Sequence, residues 1–259
     1  MMCRSCRSTG VTIRWRNTSS ISSKGVEVMW HLIRLELKKG RLTGYIWGSL
    51  IAYGVIASLL MLIYFVEGIE GADPVFQSYP DMLFLIDVLI RATFIIYASV
   101  LLSKLMINEF RDKTIGLLFA YPINRKKLIA AKLLIVFTWT FLNVIIANLL
   151  IDALLILVNS QTGYVTGPLT GELLMEHGIN VLMQAFGAAG MSLLPLVLGM
   201  RKKSVSATIA SSIFIVMIVC SHNLGFSLSS IIAIPLSLAA LGIFLTYLSF
   251  RNIHQMDVG

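Results

Sequence analysis

The sequence predicts an all-α integral membrane protein: six transmembrane helices, a cytoplasmic helix between the second and third, and an interfacial helix ahead of the first. Three observations carry this. The 259 residues are 57% hydrophobic and 13% charged, where soluble domains average about 45–50% apolar and about 25% charged. Apolar runs of spanning length follow one another along the chain, broken by short polar segments. Apart from Arg91, every Lys and Arg falls in alternate polar segments or at their membrane edges, the pattern that marks the cytoplasmic side.

The net charge of +8 does not indicate nucleic acid. Of 21 Lys/Arg and 13 Asp/Glu, residues 1–27 hold five and one, leaving 16 and 12 for the rest. Half the excess therefore sits in a leader rich in Arg and Ser with no apolar centre, which excludes a secretory signal peptide. A transit peptide is the compositional alternative. The expectation is that residues 1–28 form a disordered basic leader outside the native protein, with the natural start at Met29. Lys24-Gly25-Val26-Glu27 fits translation of a purine-rich ribosome-binding tract. Residues 29–259 then form one membrane domain. Cys3, Cys6 and Cys220 make no disulfide framework. Cys3 and Cys6 form a lone CxxC, which without a second pair reads as unpaired thiols.

Trp30, Ile33 and Leu37 repeat at helical spacing among Arg34, Lys38, Lys39 and Arg41. Such a pattern suits a helix lying on the cytoplasmic leaflet, or a plain basic flank that orients the next span. The first span is Tyr45 to Val66. Glu67 to Asp81 is acidic, without Lys or Arg, and lies outside. The second span runs from about Met82 to Ile107.

Asn108 to Lys132 is the one long polar and basic interruption, and apolar runs on both sides force it to leave the membrane and return. Thr114 to Ala120 forms a short helix there, with Asp112 or Thr114 placed to cap it. Pro122 ends it by disfavouring the helical conformation at Tyr121. Ile115, Leu118 and Phe119 share one face at i, i+3, i+4 spacing. Arg125, Lys126 and Lys127 follow and place the segment in the cytoplasm.

The third span starts near Leu128 and reaches about Val158, longer than a bilayer needs, so it tilts or emerges beyond Asp152. Asn159 to Gly178 is external, with Thr170 capping a short surface helix that holds Glu172 and Glu176. Ile179 to Met200 is the fourth span, closed by Arg201-Lys202-Lys203; Ser204 to Ser221 is the fifth. His222 to Leu228 makes a tight external turn before the sixth, Ser229 to Phe250. Both termini are cytoplasmic. Pro195 and Pro235 are candidates to kink their spans. Gly48 with Ala52, Gly54 with Ser58, Ala185 with Ala189, and Ala207 with Ser211 are small pairs that suit close helix packing.

The pattern Glu109, Thr114, Leu117-Leu118, Pro122, Arg125, Lys132 resembles the cytoplasmic loop between the second and third membrane helices of ABC-2 type permeases. From about Met29 onward the order of segments is similar to that family, and in size the chain is similar to the permeases of bacitracin and lantibiotic self-protection systems. The short turn between spans five and six departs from the longer element many members carry. The resemblance implies a coupling helix docked on a separate ATP-binding subunit, where ATP and Mg are bound, while this chain holds no cofactor and no metal. Glu109, Arg111, Asp112 and Arg125 would make polar contacts there, Ile115, Leu118 and Phe119 an apolar plug, with Thr114 and Pro122 bounding the helix. It implies a second permease copy or a homologous permease as partner, a bacterial plasma membrane location, and export of a hydrophobic or amphipathic compound such as an antibiotic, peptide or lipid.

Within the second span Asp87 and Arg91 stand four apart on one face, the spacing of an intrahelical ion pair. Charges at bilayer depth cost about 2.5–3.5 kcal/mol each on insertion scales. They read either as part of a translocation path or subunit contact, or as an inert local pair. On the first reading Arg91→Leu lowers transport with expression retained. An ATP-independent channel or secondary carrier using this pair is the alternative function. Asp152 reads as reaching headgroups. No G-x-x-x-x-G-K-[ST] loop, H-E-x-x-H or G-x-S-x-G occurs, and His31, His177, His222 and His254 are scattered. The chain is not expected to be an enzyme by itself.

Overall fold

The computed structural model describes residues 42–70, 78–107, 125–165, 170–202, 204–220, 222–223, 226–227 and 233–251. Helix α1 spans Leu42–Glu70 and α2 Tyr79–Leu102, which continues as a π-helical turn, Ser103–Ile107. Helix α3 is Arg125–Thr162, α4 Gly171–Met191, α5 Leu194–Lys202, α6 Val205–Val219 and α7 Ala233–Arg251. A two-residue antiparallel ladder pairs His222 with Ser227 and Asn223 with Phe226, in the place of the tight turn expected between the last two helices. The leader, the expected interfacial helix, and the segment carrying Glu109, Arg111, Asp112, Thr114, Ile115, Leu118, Phe119 and Pro122 lie outside the described residues.

Among the described residues four stretches are long and apolar enough to cross a membrane: Gly44–Val66, Tyr79–Met106, Ile129–Thr162 and Gly171–Val197. The fifth and sixth expected spans coincide with shorter apolar helices, Val205–Val219 and Leu236–Thr246. Local sequence accounts for several ends. Pro80 falls in the first turn of α2 behind Ser78, where its missing N–H costs nothing. Helix α2 therefore starts three residues before the expected Met82. Gly163 adopts φ 68° and its N–H donates to the carbonyl of Asn159 at 2.8 Å. This left-handed stop favours glycine and lets α3 run past Val158.

The fourth span differs from expectation. The short surface helix with Glu172 and Glu176 is not separate: one helix runs from Gly171 through Ile179 to Met191. The interruption falls instead at Ser192 and Leu193. Pro195 has no N–H and its ring would collide with the carbonyl four residues back, so the chain turns there. Leu193 N–H donates to Gly190 O and Leu196 N–H to Leu193 O, both at 3.2 Å and three residues apart. Pro235, by contrast, lies in the first turn of α7 as described, where proline is tolerated.

Helix α2 is the hub, packing against α1, α3, α4, α5 and α6. Ile86, Ile90, Phe94 and Ile95 meet Leu60 and Tyr64 of α1, Val144 and Ile151 of α3, and Ala185 and Ala188 of α4 in one apolar cluster. A second cluster around Leu102, Met106, Val136 and Leu196 closes the other end. The outer surface is apolar as well: Trp47, Ile51, Val55, Leu149, Leu157, Phe214 and Met217 are each over 60% exposed, as hydrocarbon permits and water does not. The buried face collects the polar residues, including Asn148, Asn159, Thr208 and Ser212. Helices α4 and α7 approach most closely, since a Cβ on Gly190 would lie 2.7 Å from Ala239 Cα. Of the small pairs, Gly48 meets Tyr97 and Ala185 and Ala189 are buried, but Gly54 faces open space.

Candidate functional site

The polar residues of α2, α3 and α4 converge at the end of the bundle where α2 and α4 begin. On α2, Arg91 Nη2 lies 3.5 Å from Asp87 Oδ2, the pair anticipated from the spacing. The guanidinium is wholly enclosed, and its Nη1 donates to Gln184 Oε1 on α4. The pair is therefore not merely local to one helix: it ties α2 to α4. Asp87 is 7% exposed, and its Oδ1 accepts no hydrogen bond among the described residues. Its carboxylate also lies within electrostatic reach of His177 and Asp152.

Asp152 does not reach toward headgroups. It turns inward from α3, and its Oδ2 lies 3.1 Å from Nε2 of His177 on α4. This bond links a histidine that looked isolated in the sequence with a carboxylate twenty-five residues before it. The reason is helix phase: Asn148 and Asn159 of α3 are buried, and Asp152, four residues after one and seven before the other, stands on the same face.

Between α2 and α4 the same end holds a half-open cavity of about 410 Å³. Pro80, Leu83 and Phe84 form its apolar wall on α2, with Leu173 and Val181 opposite on α4. Asp87, Glu176, His177, Asn180 and Gln184 supply the polar groups. The size is that of a small-molecule site. Among the described residues no three His, Cys, Asp or Glu side chains converge as a metal site would require.

Just outside this cluster, Asn159 gathers four groups. Its Oδ1 accepts from Tyr64 Oη at 2.7 Å and from Val165 N–H at 2.9 Å. Its Nδ2 donates to Tyr79 Oη at 2.8 Å and to the Val165 carbonyl at 3.1 Å. One amide so joins α1, α2, α3 and the chain leaving α3.

The opposite end holds the stems of the segment 108–124. There α2 widens into the π-helical turn Ser103–Ile107, a form rare in proteins and frequent at functional positions. Lys132 of α3 is buried, and its Nζ donates to the Leu105 carbonyl at 3.0 Å. Ser99 and Ser212 hydroxyls meet at 2.9 Å and bind α6 to α2 nearby. Arg125 is the first residue of α3. Gln184, His177, Asn159 and the buried role of Lys132 were not read from the sequence. The available signal was the polar side chain within an apolar run, which hydrocarbon forces to face protein.

The ABC-2 family transporter protein model matches residues 32–221. An uncharacterized protein, YcbO, of Bacillus subtilis (strain 168) is 44% identical over 227 residues, covering 88% of this chain and 99% of that protein. No solved structure matches. A multi-pass membrane architecture, a charged stretch of sequence between the second and third helices, and a family match across most of the chain agree: this protein belongs to the ABC-2 family of transporter membrane proteins.

Proposed function

We propose that the chain is the permease subunit of an ATP-driven ABC transporter that exports a hydrophobic or amphipathic compound. ATP and Mg would bind a separate ATP-binding subunit, so the chain is not an enzyme by itself. Two copies, or one copy and a homologous permease, would form the pathway in a bacterial plasma membrane with both termini in the cytoplasm. The family match carries this reading, because it spans the whole charged interruption between α2 and α3.

In this mechanism the helix Thr114 to Ala120 receives the movement of the ATPase as it closes on nucleotide. Ile115, Leu118 and Phe119 seat in its surface, and Glu109, Arg111, Asp112 and Arg125 surround them. Helices α2 and α3 carry the displacement outward. Their stems are tied by the Lys132 to Leu105 bond, which favours movement as a unit. At the far end the tie from Arg91 to Gln184 would relay it to α4 and the cavity. A conformational change requires contacts that differ between the two states, and the docking surface of the helix is where nucleotide supplies that difference.

Affinity purification of the chain from native membranes tests the reading. A stoichiometric subunit with ATPase activity is expected, along with efflux that stops on ATP depletion while the proton gradient persists. Efflux by the chain purified without any ATPase would establish the ATP-independent carrier instead.

A further inference from the structure

We infer that the cavity between α2 and α4 binds amphipathic organic cations through an N–H-bearing ammonium group; this rests on the permease reading and names the substrate class for it. The cavity wall carries Asp87 and Glu176. Arg91 directs its Nη groups to Asp87 Oδ2 and Gln184, and His177, also on the wall, turns its Nε2 to Asp152. Asp87 Oδ1 accepts no hydrogen bond among the described residues, on a side chain nine-tenths buried, and Arg91 Nε and Nη2 donate none. Unfilled polar atoms in such surroundings are costly, and a ligand ammonium would bring donors to a cavity wall with two carboxylates and, among its described lining residues, no Lys or Arg.

Charge selects the class of donor. Asp152 adds a third carboxylate behind His177, and the sequence places no Lys or Arg in residues 67–81 or 159–178, which flank this end. An anion entering here would meet Asp87 and Glu176. A neutral donor would satisfy the hydrogen bond but not the excess negative charge. Leu83, Phe84 and Val181 line the remaining surface, which suits a hydrocarbon body. The fitting ligand is a compact apolar skeleton bearing one ammonium.

Equilibrium binding of tritiated 1-adamantylammonium to the full chain in nanodiscs tests this, with 1-adamantanol and 1-adamantanecarboxylate as neutral and anionic competitors of the same shape. The inference expects saturable binding of the cation, at least about tenfold preferred over the alcohol, and no competition by the carboxylate. Asp87→Asn and Glu176→Gln should each weaken the cation more than the alcohol, so that the preference between them shrinks. Glu176 is exposed at the rim, so Glu176→Gln tests the charge without disturbing the core. Equal binding of cation and alcohol, or a wild-type preference in both variants, overturns the inference. The measurement needs no ATPase: its failure leaves the permease reading standing, and a missing ATPase subunit would defeat that reading without altering the binding result.

Discussion

Lys132 Nζ lies 3.0 Å from the carbonyl oxygen of Leu105, so a buried ammonium on α3 closes the π-helical end of α2. Cations are favoured at helix C-termini because the last carbonyls carry partial negative charge. A charge-assisted bond in such a setting contributes roughly 1.5–3 kcal/mol. Lys132→Met keeps the length and removes the donor. The variant should melt several degrees lower in nanodiscs and lose substrate-stimulated ATP hydrolysis in the assembled transporter more than basal hydrolysis. A Lys132→Met transporter with wild-type melting and wild-type stimulation would show the bond to be idle.

Arg91 now carries a different expectation from the one its spacing alone suggested. Because the guanidinium is wholly buried between Asp87 and Gln184, Arg91→Leu strands a carboxylate as well as removing a charge. Breaking a buried pair this way costs about 3–5 kcal/mol, so expression should fall along with transport. Asp87→Leu combined with Arg91→Leu should recover much of the stability, because both charges leave together. Thermal unfolding of the two single variants and the double variant measures the coupling, and strict additivity would contradict a direct pair.

Asn159 should be the most sensitive polar position outside that cluster. Tyr64→Phe removes one of its bonds and should cost about 0.6–1 kcal/mol, the usual worth of a hydrogen bond between membrane helices. Asn159→Leu unpairs Tyr79 Oη and both polar backbone groups of Val165 as well, and should cost at least about 2 kcal/mol. Steric-trap or denaturant unfolding in micelles would rank them, and equal losses would argue against Asn159 as the shared node.

Glycines separate by what they face. Gly190 sits against Ala239 and Gly242, whereas Gly54 has nothing within 4 Å. Gly190→Val should force α4 and α7 apart and lower yield and melting temperature. Gly54→Val should be near neutral. Reversed sensitivities would mean that the α4–α7 contact is misplaced and that α1 packs on a partner through Gly54.

Legibility followed the physics of the solvent. Hydrocarbon demands long apolar helices, so α1 to α4 could be located from composition, and Lys/Arg placement marked the polar interruptions. Asp87 and Arg91 were legible because i, i+4 spacing is a local fact. Contacts between helices were not. Spans such as α3 are apolar on every side, so hydrophobic periodicity does not reveal which face is buried. The rule that works is inverted: Asn148 and Asn159 mark an inner face because lipid rejects them. Reading Asp152 as a headgroup contact, and His177 as one of a scattered set, missed that inversion. The fourth span was cut in the wrong place because Glu172 and Glu176 looked like a surface helix. The true break follows from Pro195, whose ring acts on the turn before it.

The most direct measurement is site-specific photo-cross-linking with a benzophenone amino acid in place of Leu118 in native membranes. The account predicts a covalent adduct with an ATP-binding subunit that changes in yield between nucleotide-free and ATP-trapped states. No adduct with such a subunit, or labelling of Leu118→Cys by an impermeant thiol reagent added outside the cell, would contradict it.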